Sequence, residues 1–136
     1  MMFQSITGWD DQIAAGRKYL KTAGNGLSRP SVFNNELIFQ LAAMAIEKLI
    51  VGVSQYHRQA PVDHTLSGLV EGLESVCPME ANLAGRIRRI EAMDDMCSLS
   101  VAHRQPPEDA DVQEILAVGS EVIRFVDRSI PRRQDF

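Results

Sequence analysis

The sequence predicts an all-α chain, arranged as an antiparallel up-and-down bundle of four main helices and a short fifth. Apolar residues recur at helical spacing in several segments, and helix-terminating residues separate those segments. No segment of strand length alternates apolar and polar residues. The 136 residues fit one domain, 1–136, and a hydrophobic content of 45% can supply a core. We expect the ends, residues 1–6 and 131–136, to be frayed.

The first helix is expected over residues 8–22. Thr7 and Asp10 have the spacing of a capping box, in which a hydroxyl and an acid three residues later bond each other's backbone N–H. Gly24 lies in the run AGNG and is the expected terminator, because glycine readily adopts the left-handed conformation that ends helices.

The second helix, over residues 31–57, is the most apolar segment. Between positions 37 and 53 its polar side chains are Gln40, Glu47 and Lys48. This composition is typical of a helix that is buried on most of its circumference. The adjacent charges of Glu47 and Lys48 argue against a membrane span, since charged groups are costly inside a bilayer. We expect both residues to face water or a polar neighbour.

The apolar content of this second helix also exceeds what one small bundle can cover. Helix faces that stay apolar after folding mark contact surfaces with other chains. Most such assemblies are symmetric homo-oligomers, and two-fold dimers are the commonest. The sequence therefore predicts a homodimer formed through the second helix.

Three further helices are expected. The third covers residues 64–76, with Asp63 as its cap. It ends at Cys77, because the following proline disfavours helical geometry there. The fourth covers residues 79–97.

A loop over residues 98–109 follows the fourth helix, since it contains Pro106 and Pro107. The last helix begins near Asp111, which forms a second capping box with Glu114. Its apolar residues then make a clean amphipathic stripe.

The densest basic group lies on the fourth helix. Arg86 and Arg89 are about one turn apart, and Arg88 points away from them. Glu91 and the aspartates that follow on the same helix would offset this charge. We expect a solvated, salt-bridged face and favour it over a phosphate-binding strip.

Net charge, residue spacing and the first residues argue against several kinds of function. The formal net charge of −4 argues against nucleic-acid binding through overall charge. Cys77 and Cys97 are too few for a disulfide framework and lack metal-ligand spacing, so we expect reduced thiols in a cytoplasmic protein. The histidines show no metal-ligand spacing either, and we expect no metal and no cofactor. The first residues lack the pattern of a signal peptide.

The order and length of the predicted helices over nearly the whole chain resemble the HEPN family, the helical domains called higher eukaryotes and prokaryotes nucleotide-binding, and two short segments carry the resemblance. The segment of residues 45–49, with its Ala-x-Glu-Lys pattern, resembles the second helix of that family. His64, Leu66 and Leu69 are similar to the His-x-Leu-x-x-Leu opening of its third helix. The resemblance implies a helical bundle that is usually homodimeric. Some members are metal-independent ribonucleases, and others bind nucleotides or pair with small nucleotidyltransferases in toxin–antitoxin systems.

The ribonuclease members use an arginine followed a few residues later by a histidine, near the last long helix. Arginine can hold a phosphate and histidine can move a proton near neutral pH. His103 lies in that region, but Cys97 stands where the arginine would be and Arg104 follows the histidine. The motif therefore departs from the family pattern, and we expect His103 and Arg104 to be solvated loop residues.

Arg58 and His64 have the required spacing, with five residues between them. They lie between the second and third helices, which is not the family's catalytic position. We expect His64 to cap or pack at the start of the third helix. An alternative is that Arg58, His57 and His64 grip a phosphate at the entrance of the third helix.

We expect a non-enzymatic HEPN-like module that binds a nucleotide, an RNA or a partner protein as a homodimer. A nucleotidyltransferase-type antitoxin or an RNA would be the partner, and no membrane is expected. The candidate ligand-binding residues are Lys48, Arg58, His64 and Arg104. One alternative is a metal-independent ribonuclease that uses His103 or the Arg58–His64 pair. Another is an unrelated helical scaffold protein.

Overall fold

The computed structural model shows an all-α protein, as predicted. It describes residues 3–60, 63, 65–99 and 106–131, with the backbone alone for residues 3–7 and 94–99. Within these ranges the chain forms five helices and no strand. They are α1 (Phe3–Gly26), α2 (Asn35–Tyr56), α3 (Leu66–Gly72), α4 (Ala81–Leu99) and α5 (Asp109–Ser129). Of the ends expected to fray, residues 1, 2 and 132–136 lie outside the described residues.

Helix α1 extends beyond the predicted segment at both ends. Thr7 lies inside the helix, so the Thr7–Asp10 pair does not mark its start. Gly24 also lies inside it, and none of the described glycines has a positive φ. The chain leaves α1 through tighter turns, in which the N–H of Leu27 donates to the Gly24 carbonyl at 3.2 Å. Helical turns of this kind satisfy the last carbonyls without a left-handed glycine.

Helix α2 begins at Asn35 because Asn34 is its cap. The side chain of Asn34 accepts a hydrogen bond of 2.8 Å from the N–H of Leu37. The residues before it form a turn, in which the N–H groups of Val32 and Phe33 both donate to the Arg29 carbonyl. The predicted start at residue 31 is therefore four residues too early.

Helix α3 is shorter than predicted, and its cap is Thr65. The Thr65 hydroxyl accepts from the N–H of Gly68 at 3.0 Å. Asp63, the predicted cap, instead accepts from the backbone N–H and the hydroxyl of Thr65. It supports the cap from two residues before Thr65.

Helix α5 begins two residues before the predicted start. Glu108 is the cap residue, and its N–H donates to the Asp111 carboxylate at 2.9 Å. Asp111 is thus the acidic partner in a capping interaction and not the cap itself. The acids in the first turn, Asp109 and Asp111, lie at the positive end of the helix dipole.

Helix α2 is the centre of the core and packs most extensively against α1, then against α5. Six of its apolar residues have no exposed surface: Ala42, Ala45, Ile46, Leu49, Ile50 and Val53. Full burial of one aliphatic side chain stabilises the fold by about 1.5–3 kcal/mol. The prediction of a helix buried on most of its circumference is confirmed.

Contacts at both ends show how the helices run. Gly8 of α1 lies beside Gln55 near the end of α2, so these two helices run in opposite directions. The start of α2 meets the start of α5, where Asn35 Nδ2 donates to Asp109 at 2.8 Å. The end of α2 meets the end of α5 through His57 and Ser129. Helices α2 and α5 therefore run in the same direction.

Glycines bring α1 and α2 close together. A Cβ at Gly52 would lie 2.5 Å from Ile13 Cδ1 and 3.2 Å from the backbone oxygen of Trp9. A Cβ at Gly16 would lie 2.6 Å from Leu49 Cγ. Only residues without a side chain fit at these two positions without displacing a neighbour.

Candidate functional site

The side of α2 that faces away from the core carries exposed apolar side chains. Leu37 is 40% exposed and Met44 is 41% exposed. Leu41 and Val51 on the same side are partly buried. We call the five residues Leu37, Leu41, Met44, Lys48 and Val51 the α2 seam. Their spacing of four, three, four and three residues is that of the apolar positions in a coiled coil.

The α2 seam is flanked on two sides. Lys48 Nζ lies 5.9 Å from the ring centroid of Tyr19, which belongs to α1. On the other side a shallow groove of about 110 Å³ runs between α2 and Leu66 at the start of α3. Glu47 borders this groove and is exposed. The expectation that Glu47 faces water is confirmed.

Lys48 is a candidate ligand-binding residue, and its side chain is only partly accessible. It is half-buried, with its amine over the Tyr19 ring. A lysine in this position covers apolar surface with its stem and keeps its charge near water. The charge is available at the edge of the α2 seam.

Arg58 lies two residues after the end of α2, and its backbone is unusual. It has φ 57°, the left-handed region, and is the only non-glycine residue with positive φ in the described part of the chain. Its N–H donates to the Gln55 carbonyl at 3.1 Å, and the N–H of Gln59 donates to the Ser54 carbonyl at 2.9 Å. These two bonds form a Schellman motif. The side chain of Arg58 is exposed.

Arg58 and Lys48 do not form one site. Lys48 lies eight residues before Tyr56, which is about 12 Å along the helix axis. Arg58 lies beyond that last turn, at the negative end of the α2 dipole. This end of α2 does not attract an anion. The phosphate-gripping alternative concerns the entrance of the third helix and depends on His64, so it stays a prediction.

His57 has a partner inside the protein. Its Nε2 lies 3.1 Å from the carbonyl oxygen of Ser129, which can only accept, so Nε2 carries the proton. Its ring meets Tyr56 edge to face, with 5.0 Å between centroids. The bond from His57 to the Ser129 carbonyl therefore joins the ends of α2 and α5.

Cys77 contacts the same residue. It is a free, half-buried thiol that donates to the Ser129 hydroxyl at 2.9 Å.

Three predicted site residues, His64, His103 and Arg104, lie outside the described residues. The side chain of Cys97 lies outside them too, although its backbone belongs to α4. The ribonuclease alternative depends on these residues and stays a prediction.

Arg86 is part of a charge cluster whose partners were not predicted. Its side chain is 17% exposed and bonds Glu114 through Nε at 2.8 Å and Nη2 at 3.1 Å. Its Nη1 bonds Glu121 at 2.6 Å. Both acids belong to α5, whereas the expected partner Glu91 accepts from the hydroxyl of Ser67 at 2.6 Å. Hydrogen bonds from Arg86 hold the pKa of the Glu114 carboxyl below its usual range, and the charge of Arg89 adds to this.

A second concave surface lies where α1 joins α2. The spacing of apolar residues within a helix does not predict it, because it is formed by segments that are distant in sequence. This cleft of about 250 Å³, called here the Phe33 cleft, lies between the α1–α2 connection and the start of α5. Its lining residues are Gly26, Leu27, Pro30, Phe33, Asn35, Ile38, Asp109, Val112 and Gln113. A sequence signal that points to it is the pair of large apolar residues, Leu27 and Val32, in a short connection.

No group of three metal-ligating side chains occurs among the residues that the structure describes. One described helix, α2, is long and apolar enough to cross a membrane, with a mean hydropathy of 1.7. The core helix of a soluble protein passes the same test, and 56% of the window is buried inside the protein. This is weak evidence for a membrane span.

Comparison of the chain with protein-family models, curated proteins and solved structures gave no significant match.

Proposed function

We propose that this chain is a non-enzymatic, HEPN-like helical module that forms a homodimer through the α2 seam. The proposed arrangement is an antiparallel up-and-down bundle, with α2 and α5 running in the same direction. In this role the module binds a nucleotide, an RNA or a partner protein in the cytoplasm. The exposure of Leu37 and Met44, on a helix that otherwise forms the core, is the observation that supports self-association. The HEPN-like role is supported by the sequence resemblance alone.

The α2 seam suits pairing with a second copy of itself. It extends from Leu37 to Val51, which is about 21 Å along the axis. Met44 lies midway, so a two-fold axis through Met44 would place Leu37 of one copy opposite Val51 of the other. Leu41 would then face the stem of Lys48, whose charged end already lies beside Tyr19. The pairing buries the apolar positions and leaves the single lysine charge at the rim.

Substitution of Met44 by lysine tests this proposal. A charge at the centre of the seam should make the protein monomeric, and the fold should persist because Met44 is already 41% exposed. Val76→Lys is the matched control, since Val76 is an equally exposed apolar residue outside α2. Sedimentation equilibrium should give a dimer for the parent and for Val76→Lys. A parent protein that is monomeric at high micromolar concentration would refute self-association.

The proposed absence of enzymatic activity has its own test. Purified protein is incubated with RNA in the presence of EDTA, at high protein concentration. We expect no cleavage above that of a matched blank. Cleavage that is lost on His103→Ala or His64→Ala would instead establish the metal-independent ribonuclease.

A further inference from the structure

We propose that the Phe33 cleft docks a short segment of another protein in which an apolar side chain is flanked by lysine or arginine. The inference rests on the partner-binding part of the proposed function and names the site and the partner's chemistry. It does not require self-association through the α2 seam.

The floor of the cleft is apolar. Phe33, Ile38 and Val112 line it, and Ile38 and Val112 belong to the buried core. Its volume of about 250 Å³ lies below the roughly 300–1,000 Å³ of typical small-molecule pockets. A cleft of this size can accept one or two side chains of a partner protein.

Apolar side chains at and near the rim of the cleft are exposed to water. Leu27 is 50% exposed and lines the cleft, and Val32 in the same connection is 57% exposed. Exposed apolar side chains gathered around a concavity are typical of a protein-binding surface. An inserted side chain would cover Leu27 and extend the apolar floor.

The charges at the start of α5 favour a basic partner. Glu108 and Asp109 are exposed, and Asp111 follows in the same turn. Asp109 lines the cleft, and its Oδ1 accepts from Asn35 at 2.8 Å. Arg29 is the single base in the α1–α2 connection. Of these carboxylates, Asp109 lines the cleft, and Asp111 accepts from the Glu108 N–H beside it. With one guanidinium against them, the net negative charge favours lysine or arginine side chains over an anion such as a nucleotide phosphate.

The cleft is already formed before any partner arrives. The N–H of Arg29 donates to the Gly26 carbonyl at 3.0 Å, and that of Phe33 donates to the Arg29 carbonyl at 2.9 Å. Asn35 Nδ2 donates to the Pro107 carbonyl at 3.2 Å and so holds the far wall in place. A preformed site avoids the entropic cost of ordering loops on binding.

The test uses three synthetic peptides: a central leucine between two pairs of lysines, the same peptide with serine for leucine, and one with glutamates for the lysines. Binding is followed by NMR shifts of the Leu27 and Val112 methyl groups. We expect the first peptide to bind and the other two to bind at least roughly ten-fold more weakly, because each lacks one of the two interactions.

Gln113→Arg adds a positive charge at the rim and so reduces its net negative charge, and it leaves the core intact because Gln113 is exposed. It should weaken binding of the leucine peptide several-fold. Ser120→Arg is the matched control, because Ser120 is exposed on the same helix about 10 Å further along. It should leave the affinity unchanged.

Repeating the titration in the Met44→Lys background separates the two proposals. Binding that persists there supports the cleft even if the parent protein proves not to dimerise. The inference is overturned if the serine peptide binds as well as the leucine peptide, or if Gln113→Arg has no effect. It is also overturned if a short RNA displaces the peptide, or if the methyl shifts follow protein concentration alone and so identify a second copy as the occupant.

Discussion

Arg86 and Glu114 join α4 to α5 through two parallel hydrogen bonds, at 2.8 and 3.1 Å. The planar guanidinium matches the carboxylate, and the third bond of Arg86 goes to Glu121, seven residues further along α5. Two turns of α5 are thus held by one side chain of α4. In the described part of the chain, α4 packs less extensively against α5 than α2 does.

Glu114→Gln should lower the free energy of unfolding by about 1 kcal/mol at neutral pH. A hydrogen bond to a charged group contributes about 1.5–3 kcal/mol, and the 42% exposure of Glu114 reduces this through solvent screening. Urea unfolding measures the difference. Glu74→Gln is the control, since Glu74 is an exposed residue in the turn after α3.

The same pair gives a pH dependence. The pKa of Glu114 in the folded protein lies below its ordinary value of 4.5, chiefly because of the bond from Arg86. Its stabilisation is therefore complete above pH 4.5 and is lost as the pH falls through the folded value. The stability gap between the parent and Glu114→Gln should shrink over that range. A gap that stays constant down to pH 2 would contradict this account.

Gly52→Ala should destabilise the protein by about 1–3 kcal/mol, which is typical of overpacking. The new methyl group would press on Ile13, which can move, and on the backbone oxygen of Trp9, which cannot. Gly85→Ala is the matched control, because a Cβ there meets no atom within 4 Å. It should stabilise α4 by about 0.5–1 kcal/mol through helix propensity. In chemical denaturation, the midpoints of the two variants should shift in opposite directions from that of the parent protein.

Arg58→Gly should raise the stability by about 0.5–1 kcal/mol. Glycine adopts φ 57° without steric cost, and this gain exceeds the extra freedom that it adds to the unfolded chain. Arg58→Ala keeps the Cβ and should show no gain, which separates backbone strain from loss of charge. If both variants lose stability equally in thermal unfolding, the arginine side chain stabilises the helix end by its charge.

Ser54→Ala should leave the stability unchanged or raise it by up to about 1 kcal/mol. Ser54 is 4% exposed, and its hydroxyl has no hydrogen-bond partner among the described residues. Removing a buried, unpaired hydroxyl removes a desolvation cost. Ser67→Ala provides the contrast, because that hydroxyl bonds Glu91 and its loss should destabilise by about 1–2 kcal/mol. A marked loss of stability in Ser54→Ala would contradict this account and show that the hydroxyl makes a stabilising interaction.

The sequence predicted α2 well because its composition alone requires burial, whatever lies against it. Helix starts were less accurate, since several residues with capping chemistry stand close together. Thr65 caps α3 where Asp63 was expected, and Asp111 supports the Glu108 cap. Local spacing could not decide between them, because the choice depends on how the preceding chain enters the helix.

The Arg86 cluster and the Phe33 cleft were missed for a different reason. Arg86 bonds Glu114, which is 28 residues away in the sequence, and Asn35 bonds Asp109, which is 74 residues away. Periodicity describes one helix at a time, so it carries no information about which distant segments become neighbours. The exposed seam of α2 was foreseen only as an excess of apolar residues.

The common direction of α2 and α5 bears on the order in which the chain folds. Helices α1 and α2 are neighbours in sequence, and their contacts can form early at a small entropic cost. Because α5 begins beside the start of α2, it can join them only after the chain between Arg58 and Pro107 has returned to the end of the protein where α2 begins. In hydrogen exchange we therefore expect α5 to lose protection before α2, and the pair α1–α2 to be the last structure to open.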